Sequence, residues 1–351
     1  MKSFKLHLAV ILACVLCVPV SSGAAEKDSV VFIATGGTIA MKIDPVKKAP
    51  VPAISGEDLL ATVPDIADIA KIEVKNISNV PSCEMSPERW VELQKAVTAA
   101  LQRPEVAGVI ISHGTDTLEE TAYFLDLTVK SNKPVVLIGA QRNASESDFD
   151  GPRNLRNAVR ICVSPEARDM GAMVVLNGHI NAARNVVKTN TSDVETFKSG
   201  DLGELGVADY DRVIFYRAPL HRQHVPVTAD VLPKVDIIYM YGGADGGLIK
   251  AAVERGAKGI VLAALGWGNI STKAYEVVKE VIAGGTPVVV STRVWNGRVL
   301  PHYGYPGGGK TLKEAGAVFA DNLSPQKARL LLMLAMQTTR DQGKLQEYFD
   351  K

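Results

Sequence analysis

Short apolar runs alternate with stretches of helical spacing along the chain, and that alternation leaves few folds open besides a parallel sheet covered by helices. The first run, 30–34, ends in Gly36-Gly37. Ser86-Pro87 reads as a helix start, a cap followed by proline. Trp90, Leu93, Val97 and Leu101 then recur at spacings of three and four, which marks one buried helix face. A strand over 106–112, a helix over 118–129 and strands over 134–139 and 172–177 complete a first unit. Across 218–234 the pattern breaks, with Pro219, Pro226 and Pro233 and no helical period, as in a linker. It restarts with a strand at 235–241, a helix at 244–255, a strand at 259–264, a helix at 272–283 and a strand at 287–292. A last helix runs from Ser324-Pro325 to about 339. The chain is thus expected to be α/β with two domains, a larger parallel-sheet domain over 26–217 and a smaller one over 235–351. Residues 41–55, which hold Pro45, Pro50 and Pro52, are expected to form a mobile loop.

The first 25 residues stand apart from this pattern. Lys2 and Lys5 precede an uncharged apolar run over 8–18, and Ser21, Ser22, Gly23, Ala24 and Ala25 follow, the order of a secretory signal peptide. The run is too short for a membrane span, which needs about 20 residues. Ile11-Leu12-Ala13-Cys14 faintly resembles a lipoprotein cleavage box but would leave almost no apolar core before the cut. Export to the periplasm is the expectation. Removing this segment takes two lysines away and leaves 37 basic against 38 acidic residues, a balance that points away from nucleic acid and anionic membranes. Of the cysteines, Cys83 and Cys162 remain, and spacing alone leaves their pairing open. His221 and His224 lie in the proline-flanked stretch and read as linker residues, and no metal-type Cys/His spacing occurs.

In open α/β sheets a ligand sits beyond the carboxyl ends of the strands. Two turns meet that condition: Thr35-Gly36-Gly37-Thr38 after the first strand, and Ser112-His113-Gly114-Thr115-Asp116-Thr117 after the strand at 106–112. Both carry hydroxyls on glycine-containing turns. A hydroxyl attacks a carbonyl when a neighbour takes its proton, and the resulting oxyanion needs donors, which free turn amides supply. Taken alone, Gly36-Gly37 is equally well a tight turn. A nucleotide site is disfavoured, because no G-x-G-x-x-G follows a strand and Gly242-Gly243-Ala244-Asp245-Gly246-Gly247 lacks that spacing.

The residues 35–40 and 113–117 resemble the two signature motifs of bacterial L-asparaginases, and so does Lys188 within 183–191. The likeness continues through 193–199, Asp150-Gly151-Pro152 and 323–329, in order and over nearly all of the chain after residue 25. Together with the export segment it is most similar to the periplasmic type II branch. The resemblance implies a smaller C-terminal domain that is flavodoxin-like, no metal or organic cofactor, and a homotetramer built as a dimer of dimers. It implies that Thr38 is the nucleophile, on the turn of Gly37, and that Thr115, Lys188 and Asp116 form a second polar cluster. There Lys188 lowers the cost of deprotonating Thr115, and Asp116 binds the substrate's α-amino group. Ser82, beside Cys83, matches the serine that holds the α-carboxylate, and Asn269 matches an asparagine that reaches a neighbouring subunit's site. The implied reaction is hydrolysis of the side-chain amide of asparagine, with glutamine also possible, through a threonine acyl-enzyme.

Two departures qualify that implication. Type II enzymes carry a tyrosine in the loop after the first motif, yet 41–55 has none and Ala49 falls near its place. They also send a glutamate from the partner's C-terminal domain, yet 299–309 holds no acid. Tyr305, ahead of glycines and Leu312, resembles a tyrosine segment of the cytosolic type I branch, and it, or Tyr303 in its stead, is expected to supply the missing phenol from another subunit. Against this stands simple packing of both rings on a glycine-rich turn. Lys42, Lys47 and Lys48 are expected either to guide acidic substrates or to form a solvated loop face. Two further readings stay open: a related amidase that prefers glutamine, and an asparaginase-like amino-acid-binding protein that has lost catalysis.

Overall fold

A computed structural model describes residues 27–220 and 222–351, so the segment read as a signal peptide and His221 lie outside the described residues. The first domain opens with β1 (Ser29–Gly36) and a hairpin of β2 (Met41–Asp44) and β3 (Ala49–Pro52). Short helices α1 (Gly56–Ala61) and α2 (Ile66–Ile69) lead to β4 (Lys71–Val80). The alternation continues through α3 (Pro87–Leu101), β5 (Val106–Ser112), α4 (Leu118–Thr128), β6 (Val135–Ile138), α5 (Gly151–Val163) and β7 (Ala172–Leu176). The domain ends with β8 (His179–Ala182), a ribbon of β9 (Val187–Lys188) and β10 (Phe197–Lys198), β11 (Gly206–Ala208) and β12 (Val213–Phe215). The second domain carries β13 (Val235–Tyr239), α6 (Gly247–Glu254), β14 (Gly259–Ala264), α7 (Thr272–Ala283) and β15 (Val288–Thr292). It closes with α8 (Gly309–Glu314), β16 (Val318–Phe319), α9 (Pro325–Ala335) and α10 (Gln342–Phe349).

Eight strands form the first sheet in the order β12-β11-β8-β7-β6-β5-β1-β4. In β1, Val30 and Phe32 point into one apolar layer and Val31 and Ile33 into the other, all fully buried. Burial on both faces explains why β1 reads as an unbroken apolar run and not as an alternation. From β1 the chain moves to β4 on one side and then to β5 on the other. The order therefore reverses between β1 and β5, and a crevice opens at their carboxyl ends.

Three expectations change. The first sheet is mixed, because β8 pairs antiparallel with β7 and with β11, and β12 pairs antiparallel with β11. A two-residue turn at Asn177-Gly178, with φ of 51° and 83°, returns the chain directly, so no crossover helix intervenes. Residues 41–55 are not an open loop: β2 and β3 pair antiparallel, and the prolines at 50 and 52 sit on an isolated two-stranded ribbon, where a missing N–H costs least. The second sheet is parallel in sequential order β13-β14-β15-β16, without the reversal of a flavodoxin-like order. In addition, α6 begins later than expected, because Gly246 stands at φ 87° and its missing Cβ leaves room for Val277 and Ala274.

One buried cluster crosses from domain to domain. Trp90, Tyr123, Phe124 and Leu127 of α3 and α4 pack with Leu330, Leu331 and Leu334 of α9. Arg329 donates to the carbonyl of Val235 at 3.0 Å and lies over the Trp90 ring at 5.8 Å. The two cysteines are unpaired: Cys83 is exposed and Cys162 is buried beneath β5. There Gly108 passes so close that an added Cβ would lie 2.9 Å from the Cys162 sulfur. Gly108→Ala should therefore destabilise the fold by about 1–3 kcal/mol through overpacking. Adding Cys162→Ala should recover part of that loss in urea denaturation, and an unshifted midpoint in the single variant would contradict the packing argument.

Candidate active site

Three strand ends meet at the crevice, and glycine makes the meeting possible. Gly36 and Gly37, at φ 112° and 86°, turn the chain out of β1. A Cβ on Gly36 would lie 2.4 Å from the amide nitrogen of Val80 at the end of β4. One on Gly37 would lie 2.2 Å from the Cα of Gly114, and one on Gly114 would lie 2.6 Å from the Ser82 hydroxyl oxygen. The backbones after β1 and β5 thus touch, with Ser82 against them. Side chains lock the layout: Thr35 donates to the Ser112 carbonyl at 2.8 Å, Ser78 to the Thr35 carbonyl at 2.9 Å, and Thr117 to the Ser82 carbonyl at 2.7 Å.

Thr38 opens a 3-10 turn on this floor and is half-buried. Among the described residues neither its hydroxyl nor its amide N–H meets a protein partner, and the Thr115 amide is equally unoccupied. Thr115 itself is buried. Lys188, on β9, donates from Nζ to the Thr115 hydroxyl oxygen at 2.8 Å and to Asp116 Oδ1 at 2.8 Å. Thr115 accepts that bond, so its own proton stays free to point elsewhere. The Asp116 side chain is 69% exposed, so its second oxygen faces solvent. Cys83 lies beside Ser82 on the short turn Ser82–Glu84 and is exposed. A cleft of about 420 Å³ borders Lys188, with Tyr239, Arg293 and Trp295 of the second domain on its far side.

Asn269, Tyr303 and Tyr305 do not join this group within the chain. Their hydrogen bonds and ring contacts among the described residues stay in the second domain. Tyr303 stacks on Trp267 at 5.9 Å and meets Tyr305 at 5.7 Å, and all three rings are exposed. Asn269 bridges to Leu265, and its side-chain oxygen is buried with no partner.

Sequence reasoning gave no role to the residues behind the floor. The His113 ring is fully buried; its Nδ1 lies 2.7 Å from the Gly114 carbonyl and its Nε2 lies 2.9 Å from the Thr121 hydroxyl. Trp90 donates its indole N–H to that hydroxyl at 2.8 Å. The Gly114 carbonyl only accepts, so His113 carries its proton on Nδ1, and Nε2 of the neutral ring accepts from the Thr121 hydroxyl. The neutral tautomer is thereby fixed. Glu119, buried on α4, accepts from the Lys188 backbone N–H at 2.6 Å and from the Gln326 amide. Glu119 and Lys327 are not singled out in the sequence, because α4 also carries Glu120 and Asp126 and α9 also carries Arg329.

Residues 29–221 match the family model described as "Asparaginase, N-terminal", and residues 234–349 match "Glutaminase/Asparaginase C-terminal domain". The chain is a member of the asparaginase family. It is 41% identical to L-asparaginase 2 of Bacillus subtilis over 344 residues, covering 94% of this chain and 89% of the relative. It is 34% identical to the glutaminase-asparaginase of Pseudomonas fluorescens, covering 96% of each. A solved "probable cytoplasmic L-asparaginase" from Campylobacter jejuni superposes with a TM-score of 0.85 at 42% identity, over 93% of this chain and 100% of that one.

In this asparaginase-family floor, His113 links pH to folding. Burial pushes its pKa down to about 4 from an ordinary 6.5, against the opposing pull of the Gly114 carbonyl. The unfolded chain therefore takes the proton first. The stabilisation is whole above pH 6.5 and is lost as pH falls toward 4, by about 3 kcal/mol in total. Denaturant midpoints between pH 7 and 4 should fall steeply, and His113→Gln should flatten that window; an equal slope in both proteins would sink the assignment.

Proposed function

We propose that the chain hydrolyses the side-chain amide of L-asparagine, and to some extent that of L-glutamine, to the acid and ammonia. The observation that carries this reading is Lys188 held 2.8 Å from the Thr115 hydroxyl, on a floor that also presents the unpartnered Thr38 hydroxyl. The substrate's ammonium is held by the open oxygen of Asp116 and its α-carboxylate by Ser82 and nearby turn amides. Those two remote charges align the side-chain carbonyl on Thr38. The Thr38 oxygen attacks that carbon, and the free amides of Thr38 and Thr115 stabilise the oxyanion. The C–N bond breaks, the threonine proton leaves with the nitrogen as ammonia, and water then cleaves the ester to restore Thr38. Thr115, with Lys188 lowering the cost of its ionisation, relays protons in both halves.

Tyr305 of a second copy supplies the phenol that residues 41–55 lack. Exposure of Trp267, Tyr303 and Tyr305 together supports a covered face, since monomers seldom expose such clusters. Asn269 approaches the neighbouring site from the same domain. A dimer is then the smallest active unit and the tetramer a pair of such dimers. The domain limits are taken as 26–217 and 235–351 with a linker at 218–234; separate family matches over 29–221 and 234–349 support a division in this region. The sequence of residues 1–25 supports export to the periplasm, and no helix among the described residues is long and apolar enough to cross a membrane.

Ammonia release from L-asparagine and L-glutamine by the protein without residues 1–25, beside Thr38→Ala, tests the reading. Release should vanish in the variant, and the ratio of rates ranks the substrates. Tight amino-acid binding without release in either protein would instead establish a binding protein on this frame. Tyr305→Phe should lower kcat roughly 100-fold, the usual weight of one proton-transfer group. Undiminished turnover would remove the cross-subunit phenol.

A further inference from the structure

Lys188 sits on a strand of only two residues, β9, which by itself fixes little. Three backbone atoms of the segment leading to it are instead held by side chains from elsewhere. Lys327, 1% exposed at the start of α9, donates from Nζ to the carbonyls of Arg184 at 3.0 Å and Val186 at 2.6 Å. Glu119, 5% exposed in the first turn of α4, receives the Lys188 N–H on Oε2 at 2.6 Å. Its other oxygen receives the amide of Gln326, the residue before Lys327. The negative charge of Glu119 also faces the Lys327 ammonium. One helix turn from each domain thus clamps the path from Arg184 to Lys188, and the Lys188 side chain reaches Thr115 only from the end of that path.

We propose that Glu119 is a positioning residue for the reaction: by holding the Lys188 backbone it sets the ammonium on Thr115, and through Gln326 and Lys327 it makes that placement depend on the C-terminal domain. The inference rests on the reading of Lys188 and Thr115 given above. Glu119 itself touches neither the substrate-binding groups Asp116 and Ser82 nor Thr38, so its loss should act on turnover and not on binding.

The test uses the whole chain without residues 1–25. Glu119→Ala should lower kcat for L-asparagine by roughly 10–100-fold, the rate equivalent of one charge-assisted hydrogen bond, while KM stays within about threefold. Glu119→Gln should recover most of that rate, because the introduced amide can still accept the Lys188 N–H and the Gln326 amide can rotate to meet it. In a Lys188→Ala background, Glu119→Ala should cost nothing further, since the group it positions is gone. Thermal unfolding of each variant separates folding loss from rate loss; where Glu119→Ala does not fold, Glu119→Asp, which withdraws the carboxylate by one methylene, carries the same expectations. An unchanged kcat in Glu119→Ala, an equal further loss in the Lys188→Ala background, or Glu119→Gln as slow as Glu119→Ala would each overturn the proposal. Full activity in Lys188→Ala alone would instead overturn the reading of Lys188 on which it stands.

Discussion

The site depends on backbone meeting backbone at Gly37 and Gly114. Neighbouring strands of a sheet run about 4.8 Å apart, so the turns that leave β1 and β5 can touch only if neither carries a side chain on the facing side. Both residues are glycine, and a Cβ on Gly37 would be 2.2 Å from the Gly114 Cα. That contact places the Thr38 turn against the Thr115 turn without any loop having to fold over. Ser82 enters the same contact from β4, where an added Cβ on Gly114 would strike its hydroxyl. The reversal of strand order between β1 and β5 supplies the crevice, and the glycines let three strand ends share it.

The floor divides its polar groups into those already satisfied and those left open. Thr35, Ser78 and Thr117 spend their hydroxyls on carbonyls of the turns. His113 spends both ring nitrogens, one on Gly114 and one on Thr121. Among the described residues, what remains open includes the hydroxyls of Thr38 and Ser82, the amides of Thr38 and Thr115, and the second oxygen of Asp116. Groups without protein partners at the bottom of a crevice are the ones a polar ligand can meet at no cost in broken internal bonds. A rigid surround also means that little reorganisation accompanies charge appearing at that spot.

Much of this was legible in the sequence. The runs at 30–34 and 106–112 identify β1 and β5 because both faces of those strands are buried. Ser86-Pro87 identifies the start of α3, where the Ser86 side chain accepts from Arg89. The turns bearing Thr38 and Thr115 follow from the strand ends. Strand direction was not legible, since an apolar strand looks alike whichever way it runs; the turn at Asn177-Gly178 sends β8 back along β7, and β11 and β12 then each pair antiparallel with the strand before them in the sheet. The helix α5 was missed although Leu155, Ala158, Val159 and Cys162 recur at spacings of three and four on its buried face; two further buried positions, Asn154 and Asn157, are polar. Asn154 is there to bond: it donates to the Gly139 carbonyl at 3.0 Å and accepts from the Asn177 amide at 3.0 Å. The clamp on Lys188 was hidden for another reason: its parts lie about 70 and 140 residues from the segment they hold.

That clamp is expensive to bury. Lys327 is 1% exposed, and loss of water pushes its pKa down to about 8 even with Glu119 pulling the other way. A buried pair of charges gives little stability over apolar residues of the same size. Apolar residues, however, could not have bound the Arg184 and Val186 carbonyls or the Lys188 N–H, and a two-residue strand leaves those groups few other partners. Hydrogen bonds fix direction and distance where apolar contact fixes only proximity. The arrangement therefore exchanges stability for placement at the segment that delivers an ammonium to Thr115, and two of the three bonds that hold that segment come from α9. The crevice floor of the first domain is in this sense finished by the second, before any other copy of the chain is considered.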